Sequence, residues 1–275
     1  MRADFEALGL VAGGGKFPIL CAEEAKKKGY KVVVVAHIGE TDQALEQIAD
    51  GIIWLHLGQL NKLIDFLKAN GARHVIFAGT ITKKRIFFDV RPDLRALGLW
   101  RRLNSRLDDH LLRAIALELE AEGIQVISST AFLDQLFMPV GCITHKRPSL
   151  DQEEDIRFGF SIAKEIGRLD IGQCIVVKDK TILAIEAIEG TDQTILRGGK
   201  LGGPGSVVIK VCKPHQDTRF DLPSVGLKTI QTMVEARAEV LAVEAGKALL
   251  FDMPETVEFA NKNKIAVVGI QDETP

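Results

Sequence analysis

The sequence predicts an α/β protein with an N-terminal Rossmann-like parallel-sheet domain and a C-terminal mixed α/β domain. In the first half, short apolar runs alternate with amphipathic segments, which is typical of a parallel sheet covered by helices. Between the halves, the stretch MPVGCITHKRPSL has two prolines and neither helical nor strand periodicity, as expected of a linker. We therefore predict an N-terminal domain over 1–135, a linker over 136–150 and a C-terminal domain over 151–275.

The first half opens with a βαβ unit, and further helix–strand pairs follow it. Gly29, Gly71 and Gly123 each come after an apolar face at helical spacing, which predicts the ends of three helices. The predicted elements are a strand over 8–12, a helix over 17–29, a strand over 31–36, a helix over 59–70, a strand over 74–78, a helix that Asp108 or Asp109 caps, and a strand over 125–128.

The second half mixes strands and helices without a regular alternation. Lys178, Asp179 and Lys180 stand between two apolar runs, a pattern that favours a hairpin. The predicted elements are a helix with its apolar stripe over 156–166, hairpin strands over 174–177 and 181–186, strands over 207–211, 240–244 and 247–251, and helices over 226–236 and 254–261.

Composition excludes several classes of protein. The chain has 275 residues, 46% of them hydrophobic and 26% charged, which supports real cores and excludes disorder. Lys and Arg number 35 against 37 Asp and Glu, so no global positive charge is available for nucleic acid, and no nucleic-acid partner is expected. No run approaches the roughly 20 apolar residues that span a bilayer. We expect a cytoplasmic protein, soluble or peripherally attached to a membrane.

The spacing of cysteines and histidines disfavours several kinds of metal site. The four cysteines form no CxxC pair, so they are interpreted as reduced core thiols. The six histidines show neither HxH nor HExxH spacing, which disfavours zinc, and a GxSxG nucleophile motif is also missing. Asp and Glu oxygens remain, and these suit magnesium held partly by the phosphates of a substrate.

A glycine-rich turn, Gly13-Gly14-Gly15-Lys16, leaves the first predicted strand and opens a helix. Such turns bring backbone N–H groups close to phosphate oxygens. The turn departs from a dinucleotide fingerprint, because Pro18 takes the third glycine position and the second strand ends at His37 and not at an acid. It weakly resembles the glycine turn of sugar nucleotidyltransferases. Phosphate contact and a purely structural tight turn both stay open.

Two further segments can carry chemistry. In KPHQDTRFDLPSVG, over 213–226, Asp217 and Asp221 stand among cations and prolines, which indicates a rigid loop that can hold catalytic groups. The alternative is that both aspartates are turn and cap residues. In EAIEGTD, over 186–192, acids lead into a helix that Thr191 would cap, and an ordinary capped helix start is again the alternative.

Residues 73–113 carry ten Lys or Arg against four Asp, an excess of six positive charges. Apolar residues, among them Leu94, Leu97 and Trp100, are interleaved with these cations. Apolar anchors beside cations fit an anionic membrane surface. A helix or subunit interface with solvated charges fits the same pattern.

Taken together, several motifs in order along the chain resemble one known family. The sequence is similar to the UDP-2,3-diacylglucosamine pyrophosphatases of lipid A biosynthesis, in their aspartate-dependent form. The combination of EGTD, KPxQDxRxDLPxxG and EAG is the specific part of this resemblance. The matching stretches are VAGGGKFP, FAGTITKK, DDHLLRAIALELEAEGIQV, DIGQCIVV, AIEAIEGTDQTILR, KPHQDTRFDLPSVG and EAGKALLFD.

The resemblance implies magnesium-assisted hydrolysis of UDP-2,3-diacylglucosamine to UMP and 2,3-diacylglucosamine 1-phosphate (lipid X), with water attacking the phosphorus on the sugar side. It also implies a homodimer at the inner-membrane surface. The essential aspartate maps to Asp221, as catalytic residue and metal ligand, and its companion acids to Glu189 and Asp192. Expected substrate-binding residues are Gly13, Gly14, Gly15, Lys16, Gly79, Thr80, Thr191, Lys213, Gln216 and Arg219.

Physical chemistry assigns roles within this set. An ordinary aspartate has a pKa of about 3.9 and is a poor proton acceptor at neutral pH, so we expect Asp221 to bind magnesium and orient water. Lys213 and Arg219 would neutralise charge on the phosphates. Two hypotheses of other classes stay open: a non-catalytic nucleotide- or lipid-binding regulator, and a sugar nucleotidyltransferase.

Overall fold

The computed structural model describes residues 6–82, 90–102, 108–214, 216–220 and 222–271. The chain divides into two compact units. The N-terminal unit is Met1–Asp134 with Asp217–Phe220, and the C-terminal unit is Gln135–Gln216 with Asp221–Pro275. The chain therefore returns to the N-terminal unit for four residues just before Asp221.

The N-terminal unit is built on a five-stranded parallel sheet, in the order β3-β2-β1-β4-β5. This confirms the predicted Rossmann-like class. The strands are β1 (Ala7–Ala12), β2 (Lys31–His37), β3 (Gly51–Leu55), β4 (Ala72–Ala78) and β5 (Gln125–Val126); the α-helices are α1 (Phe17–Lys27), α2 (Leu60–Ala69), α3 (Leu94–Arg102) and α4 (Asp108–Ala121), with a short 3-10 helix at Gln43–Gln47.

Apolar patterning explains the elements that the sequence predicts in this unit. All of β1 is buried, as is β2 after its first residue, because helices cover both faces of the sheet. The apolar face of α2, with Leu60, Leu63, Ile64 and Leu67, is buried as its spacing predicts. Each such side chain contributes about 1.5–3 kcal/mol when fully buried.

The boundaries differ from the prediction at two helices of the N-terminal unit. Helix α1 ends at Lys27, because Gly29 has a φ of +87° and stands beyond the last helical turn. The described part of helix α4 begins at Asp108, so Asp108 and Asp109 both lie within the helix. Strand β3 and helix α3 were not predicted from the sequence.

The C-terminal unit contains a six-stranded mixed sheet in the order β6-β13-β11-β9-β7-β8 and a small parallel pair, β10 with β12. The mixed α/β class is confirmed. The elements are β6 (Gly141–Cys142), α5 (Leu150–Arg168), β7 (Cys174–Lys178), β8 (Thr181–Ile185), α6 (Thr191–Gly202), β9 (Val207–Lys210), β10 (Ser224–Val225), α7 (Leu227–Ala236), β11 (Val240–Glu244), β12 (Leu249–Leu250), α8 (Met253–Lys262) and β13 (Ala266–Ile270), and a 3-10 helix at Asp134–Leu136 spans the division between the units.

Two cores lie on the two faces of this sheet. Helix α5 packs one face, where Ile166 and Ala163 meet Ile209. Helices α6, α7 and α8 cover the other face, where Ile195 and Ile230 pack in the second core. Successive residues of β9 therefore alternate between the α5 side and the α6–α7 side.

The stretch 136–150, expected to be a linker, lies in the C-terminal unit and contains strand β6, which pairs antiparallel with β13. Helix α5 then starts at Leu150 with a capping box, in which Ser149 accepts from the N–H of Gln152 and Gln152 accepts from the N–H of Ser149. A two-residue strand has no periodicity of its own, so it is recognised only by its pairing with another strand. The strand predicted over 247–251 is likewise limited to β12, because only Leu249 and Leu250 pair with β10.

The predicted hairpin of β7 and β8 is confirmed, and a buried acid explains its turn. Asp179 and Lys180 have φ of +51° and +54° at the turn, a conformation that fits the right-handed twist of a hairpin. The carboxylate of Asp155, only 3% exposed, accepts from both of their N–H groups, at 3.0 and 2.6 Å. Asp155 thus stabilises a turn whose residues are not glycine.

Candidate functional site

Four of the predicted binding residues meet at the carboxyl edge of the N-terminal sheet. Gly14 donates to the carbonyl of Thr80 at 2.7 Å, and the N–H of Thr80 donates back at 3.1 Å. Gly13 donates to Ala78 at 2.8 Å. The loops after β1 and β4 are therefore joined where the strand order reverses, which is where ligands bind in open α/β sheets.

These hydrogen bonds favour a structural role for the first two glycines of the turn. Both of their N–H groups are used within the protein, and both residues are buried. A Cβ on Gly13 would lie 2.6 Å from the carbonyl oxygen of Thr80, and one on Gly79 would lie 2.6 Å from that of Gly14. Gly15 and Lys16 are exposed, so phosphate contact by the turn stays a prediction chiefly for them.

We expect Gly13→Ala to lower the free energy of unfolding by about 1–3 kcal/mol, because the added methyl group overpacks a backbone-to-backbone contact. Urea denaturation measures this. Gly98→Ala is the matched control, since a Cβ there meets nothing within 4 Å and the helix favours alanine. An unchanged stability for Gly13→Ala would contradict the assigned close contact.

A buried histidine joins the ends of β1 and β2. The ring Nδ1 of His37 lies 3.0 Å from the carbonyl oxygen of Ala12, to which Thr41 also donates through its hydroxyl, at 2.6 Å. The backbone N–H of His37 donates to that hydroxyl at 2.9 Å. Burial lowers the pKa of His37 below the ordinary value of 6.5, so the folded protein holds the ring neutral.

Stability should therefore fall as the pH drops below 6.5, because the unfolded chain binds a proton at His37 before the folded chain does. One proton gives a slope of at most about 1.4 kcal/mol per pH unit. The contribution is fully present above pH 6.5. Urea denaturation between pH 7.5 and about 5 should show a smaller slope for His37→Asn than for the wild type. Equal slopes would mean that His37 titrates alike in both states.

The four residues that return to the N-terminal unit are anchored there by ring and ion-pair contacts. Phe220 packs edge-on against Phe77, with ring centroids 5.5 Å apart. The guanidinium of Arg219 donates to Asp217 at 2.8 Å and to Glu120 at 2.9 Å. Arg219 holds the pKa of Asp217 well below its usual range. All of these contacts precede Asp221, which lies outside the described residues.

Arg219 was predicted to bind substrate, and the structure gives its side chain protein partners on three nitrogens. Nε and Nη2 donate to Asp217, while Nη1 donates to Glu120. The side chain is about one-third exposed. A contact with phosphate stays a prediction, and it requires exchange of at least one of these carboxylates.

In the C-terminal unit, the motif segments gather at one edge of the mixed sheet. Val211 donates to Gln173 at 2.9 Å and Glu186 donates to Cys174 at 2.8 Å. Lys210 is the register partner of both Cys174 and Val243. The segments EAIEGTD (186–192), KPHQ (213–216) and EAG (244–246) thus come together at one edge of the sheet, although they are distant in the sequence.

Glu186 organises this edge, and the sequence analysis did not single it out. Its carboxylate accepts from the hydroxyl of Thr191 at 2.8 Å and from the N–H of Gln173 at 3.2 Å. The prediction that Thr191 caps helix α6 is wrong: the N-cap is Gly190, with a φ of +82°, and Thr191 is the first helical residue. The hydroxyl of Thr191 donates to Glu186 and does not accept from an N–H of the helix.

The two described acids proposed as metal ligands each have a cation partner. Glu189 accepts from Arg197 at 2.5 Å and from the N–H of Ala187 at 3.2 Å, and its own backbone N–H and Arg197 lower its pKa. Asp192 pairs with Lys228 at 2.9 Å. The lysine side chain is 83% exposed, so this pair is weak and easily exchanged.

The donor set fits magnesium in kind, because carboxylate oxygens are the ligands that this ion prefers. Within the described ranges, no three acidic, histidine or cysteine side chains form a group that could hold a metal ion. Asp221 lies outside those ranges. Asp192 is the described acid better placed to serve, since its partner is an exposed surface lysine, whereas both oxygens of Glu189 are in use.

Lys213 and Gln216 begin the KPHQ loop and are tied to the C-terminal unit. The ammonium of Lys213 pairs with Asp170 at 2.7 Å, and its backbone N–H donates to the side-chain oxygen of Gln216 at 3.1 Å. The carboxylate of Asp170 is 63% exposed. A contact between Lys213 and phosphate stays a prediction, and it requires exchange of this exposed carboxylate.

Glu244, the acid of the EAG motif, lies beneath this loop and is 1% exposed. It accepts from the N–H of Cys212 at 2.8 Å and from the ammonium of Lys164 at 3.0 Å. Lys164 in turn donates to the carbonyl of Cys212 at 2.9 Å. The motif was visible in the sequence, but its role as the buried counter-ion that fixes the start of the KPHQ loop was not.

The parallel N-terminal sheet and the mixed C-terminal sheet define an α/β protein, and in this class ligands bind at the carboxyl edges of the strands. The family model of the LpxI N-terminal domain matches residues 7–136, and that of the LpxI C-terminal domain matches residues 139–268. The chain belongs to the LpxI family. A curated relative from Caulobacter vibrioides, UDP-2,3-diacylglucosamine pyrophosphatase LpxI, is 31% identical over 96% of this chain and 97% of its own length.

Solved structures show a much weaker likeness. An ADP complex of N5-carboxyaminoimidazole ribonucleotide synthetase is 18% identical, with a TM-score of 0.28, over 68% of this chain and 39% of that chain. The same enzyme from Thermotoga maritima is 18% identical, with a TM-score of 0.26, over 66% of this chain and 42% of that chain. Likeness at this level carries no argument about function. In the part of the chain that the structure describes, no helix is long and apolar enough to cross a membrane.

Proposed function

We propose that this chain hydrolyses the pyrophosphate bond of UDP-2,3-diacylglucosamine in lipid A biosynthesis. Water adds across the P–O–P bridge, which yields UMP and 2,3-diacylglucosamine 1-phosphate. The observation that carries the proposal is the gathering of the EGTD, KPHQ and EAG segments at one edge of the C-terminal sheet, in a chain that matches a pyrophosphatase over nearly its whole length.

Phosphoanhydride cleavage depends mainly on positioning and on charge neutralisation. Magnesium, when bound, would neutralise charge on the phosphates. On this proposal Asp221, with Asp192 and Glu189, holds the ion, and Asp221 also orients the attacking water. Lys213 and Arg219 face the phosphate oxygens after exchanging their present carboxylate partners.

The N-terminal unit carries predicted substrate contacts of its own. Exposed Gly15 and Lys16 stand before the first turn of α1, whose amino end favours negative charge. Gly13, Gly14, Gly79 and Thr80 form the tight backbone pair beneath them. These contacts would place the nucleotide phosphates at the carboxyl edge of the sheet.

We also propose that the enzyme works as a homodimer at the inner-membrane surface. Helix α3 exposes Leu94, Leu97 and Trp100 beside the exposed Arg101, and apolar anchors next to cations suit anionic lipid. Lys83 and Lys84, which belong to the same cation-rich stretch 73–113, lie outside the described residues. Sedimentation with anionic phospholipid vesicles tests the surface, and analytical ultracentrifugation tests the dimer.

The decisive experiment incubates the purified protein with UDP-2,3-diacylglucosamine, detergent and magnesium, and follows both products by mass spectrometry. We expect UMP and 2,3-diacylglucosamine 1-phosphate in equal amounts, and no turnover after chelation of divalent ions. In ¹⁸O-labelled water, the label should enter the sugar phosphate. Substrate binding without any turnover, under any divalent metal, would replace the proposal by a non-catalytic nucleotide- or lipid-binding regulator.

A further inference from the structure

Lys210 is a buried lysine that the reaction scheme above does not use. It is the last residue of β9, in the interior of the sheet between β7 and β11, and is 7% exposed. Alternation along the strand places it on the same face as Val208, toward α6 and α7. Its register partners Cys174 and Val243 belong to the apolar core of that face.

The hydrogen bonding of Lys210 differs from that of two partly buried lysines of the same unit, Lys164 and Lys178. An ammonium group has three N–H donors. Lys164 meets the carboxylate of Glu244, and Lys178 donates to two carbonyls at the end of α6. Lys210 donates to one neutral acceptor, the carbonyl of Ser224 at 2.9 Å, and no carboxylate among the described residues forms an ion pair with it. A buried charge with so little compensation is costly and is kept for a reason other than stability.

The acceptor of Lys210, the carbonyl of Ser224, lies close in sequence to the predicted catalytic aspartate. Ser224 stands three residues after Asp221 in the chain and begins β10. On its far side this segment is tied to β12, since Leu249 donates to Pro223 at 2.8 Å and Phe251 to Val225 at 2.9 Å. A two-residue strand pair is weak by itself, so Lys210 provides the second anchor of the segment.

Lys210 also shares its surroundings with the acids of the same sheet edge. Burial raises the pKa of the Cys174 thiol to about 12; the charge of Lys210 acts to lower it, while Glu186 and Asp192 act to raise it. The strand register places Lys210 opposite Cys174, at the sheet edge from which EAIEGTD continues.

We propose that Lys210 is a positioning residue for the reaction: its ammonium holds the carbonyl of Ser224, and so the segment that follows Asp221, at the edge that carries Glu186 and Asp192. The inference rests on the proposed hydrolysis of UDP-2,3-diacylglucosamine. Lys210 acts through the backbone that it fixes and not by contact with the substrate.

The test compares Lys210→Met with Lys210→Arg and with the control Lys178→Met. Lys178 also donates to backbone carbonyls, but it belongs to the opposite edge of the same sheet. We expect Lys210→Met to lower kcat for UDP-2,3-diacylglucosamine by about 100-fold, with KM changed less than about threefold. Lys210→Arg, which keeps the charge and the donors, should regain at least about tenfold of that loss, and Lys178→Met should keep the wild-type kcat.

Hydrogen exchange of the peptide over 222–226 provides a readout that does not depend on activity. Exchange there should speed up in Lys210→Met and stay unchanged in Lys178→Met. Folded Lys210→Met with more than half of the wild-type kcat, or with unaltered exchange over 222–226, would overturn the inference. If that variant does not fold, Lys210→Gln replaces it under the same criteria. An inactive wild type would instead count against the proposed function, and the exchange result would still decide whether Lys210 anchors the segment.

Discussion

Replacing Asp221 by asparagine is expected to lower kcat by about 10³-fold. The change keeps the size of the side chain and removes its negative charge. A neutral amide binds magnesium poorly and cannot orient water as a carboxylate does. The anchors that precede it, Phe220 on Phe77 and Arg219 on Asp217, do not involve the exchanged group, so the loop should keep its attachment.

Steady-state kinetics with UDP-2,3-diacylglucosamine and a range of magnesium concentrations measure this effect. Asp217→Asn is the matched control, because it neutralises the other aspartate of the same loop, whose partner is Arg219. We expect at most about a tenfold loss for Asp217→Asn, since Asp217 pairs with Arg219 and is assigned no contact with magnesium or the attacking water. Asp221→Asn with more than a tenth of the wild-type kcat would remove Asp221 from the catalytic role.

Glu244→Ala is expected to lower the free energy of unfolding by about 3–5 kcal/mol. The carboxylate is 1% exposed and is the counter-ion of Lys164, whose side chain is 17% exposed. Removing it leaves the ammonium of Lys164 without its counter-ion and removes the carboxylate that accepts from the N–H of Cys212. The start of the KPHQ loop would loosen, so kcat should fall together with stability.

Urea denaturation of a variant series separates the buried charge from the packing. Lys164→Met combined with Glu244→Leu removes both charges and should be more stable than Glu244→Ala, because no ion is left uncompensated. Lys247→Met removes the second lysine on the same carboxylate, one whose side chain is 54% exposed, and should cost less than about 1 kcal/mol. A stability loss below about 1 kcal/mol for Glu244→Ala would show that Lys164 does not depend on this acid.

Sequence reasoning succeeded where a segment carries its own periodicity. The unbroken apolar runs of β1 and β2 and the stripe of α2 are local properties, and the structure confirms them. Helix α3 was not predicted because Arg95, Arg101 and Arg102 interrupt its apolar positions. The same mixture of cations and apolar residues fits a membrane surface. Strand β6 was missed because two residues without periodicity become a strand only when β13 pairs with them.

By itself, the sequence determined the α/β class, the family resemblance and the motif segments that carry the candidate chemistry. The motifs identify the residue types that are available for chemistry: carboxylates, cations and a glycine-rich turn. What each residue does with its hydrogen bonds was a matter for tertiary structure alone.

Three findings came only from the tertiary structure. The N–H groups of Gly13 and Gly14 donate to Ala78 and Thr80, and the carboxylate of Glu186 accepts from the hydroxyl of Thr191. The carboxylate of Glu244 accepts from Cys212 at the start of the KPHQ loop. The physical reason is that hydrogen-bond partners and burial depend on chain segments distant in sequence. Lys164 and Glu244 stand 80 residues apart, and only the packing of α5 against the sheet brings their charges together.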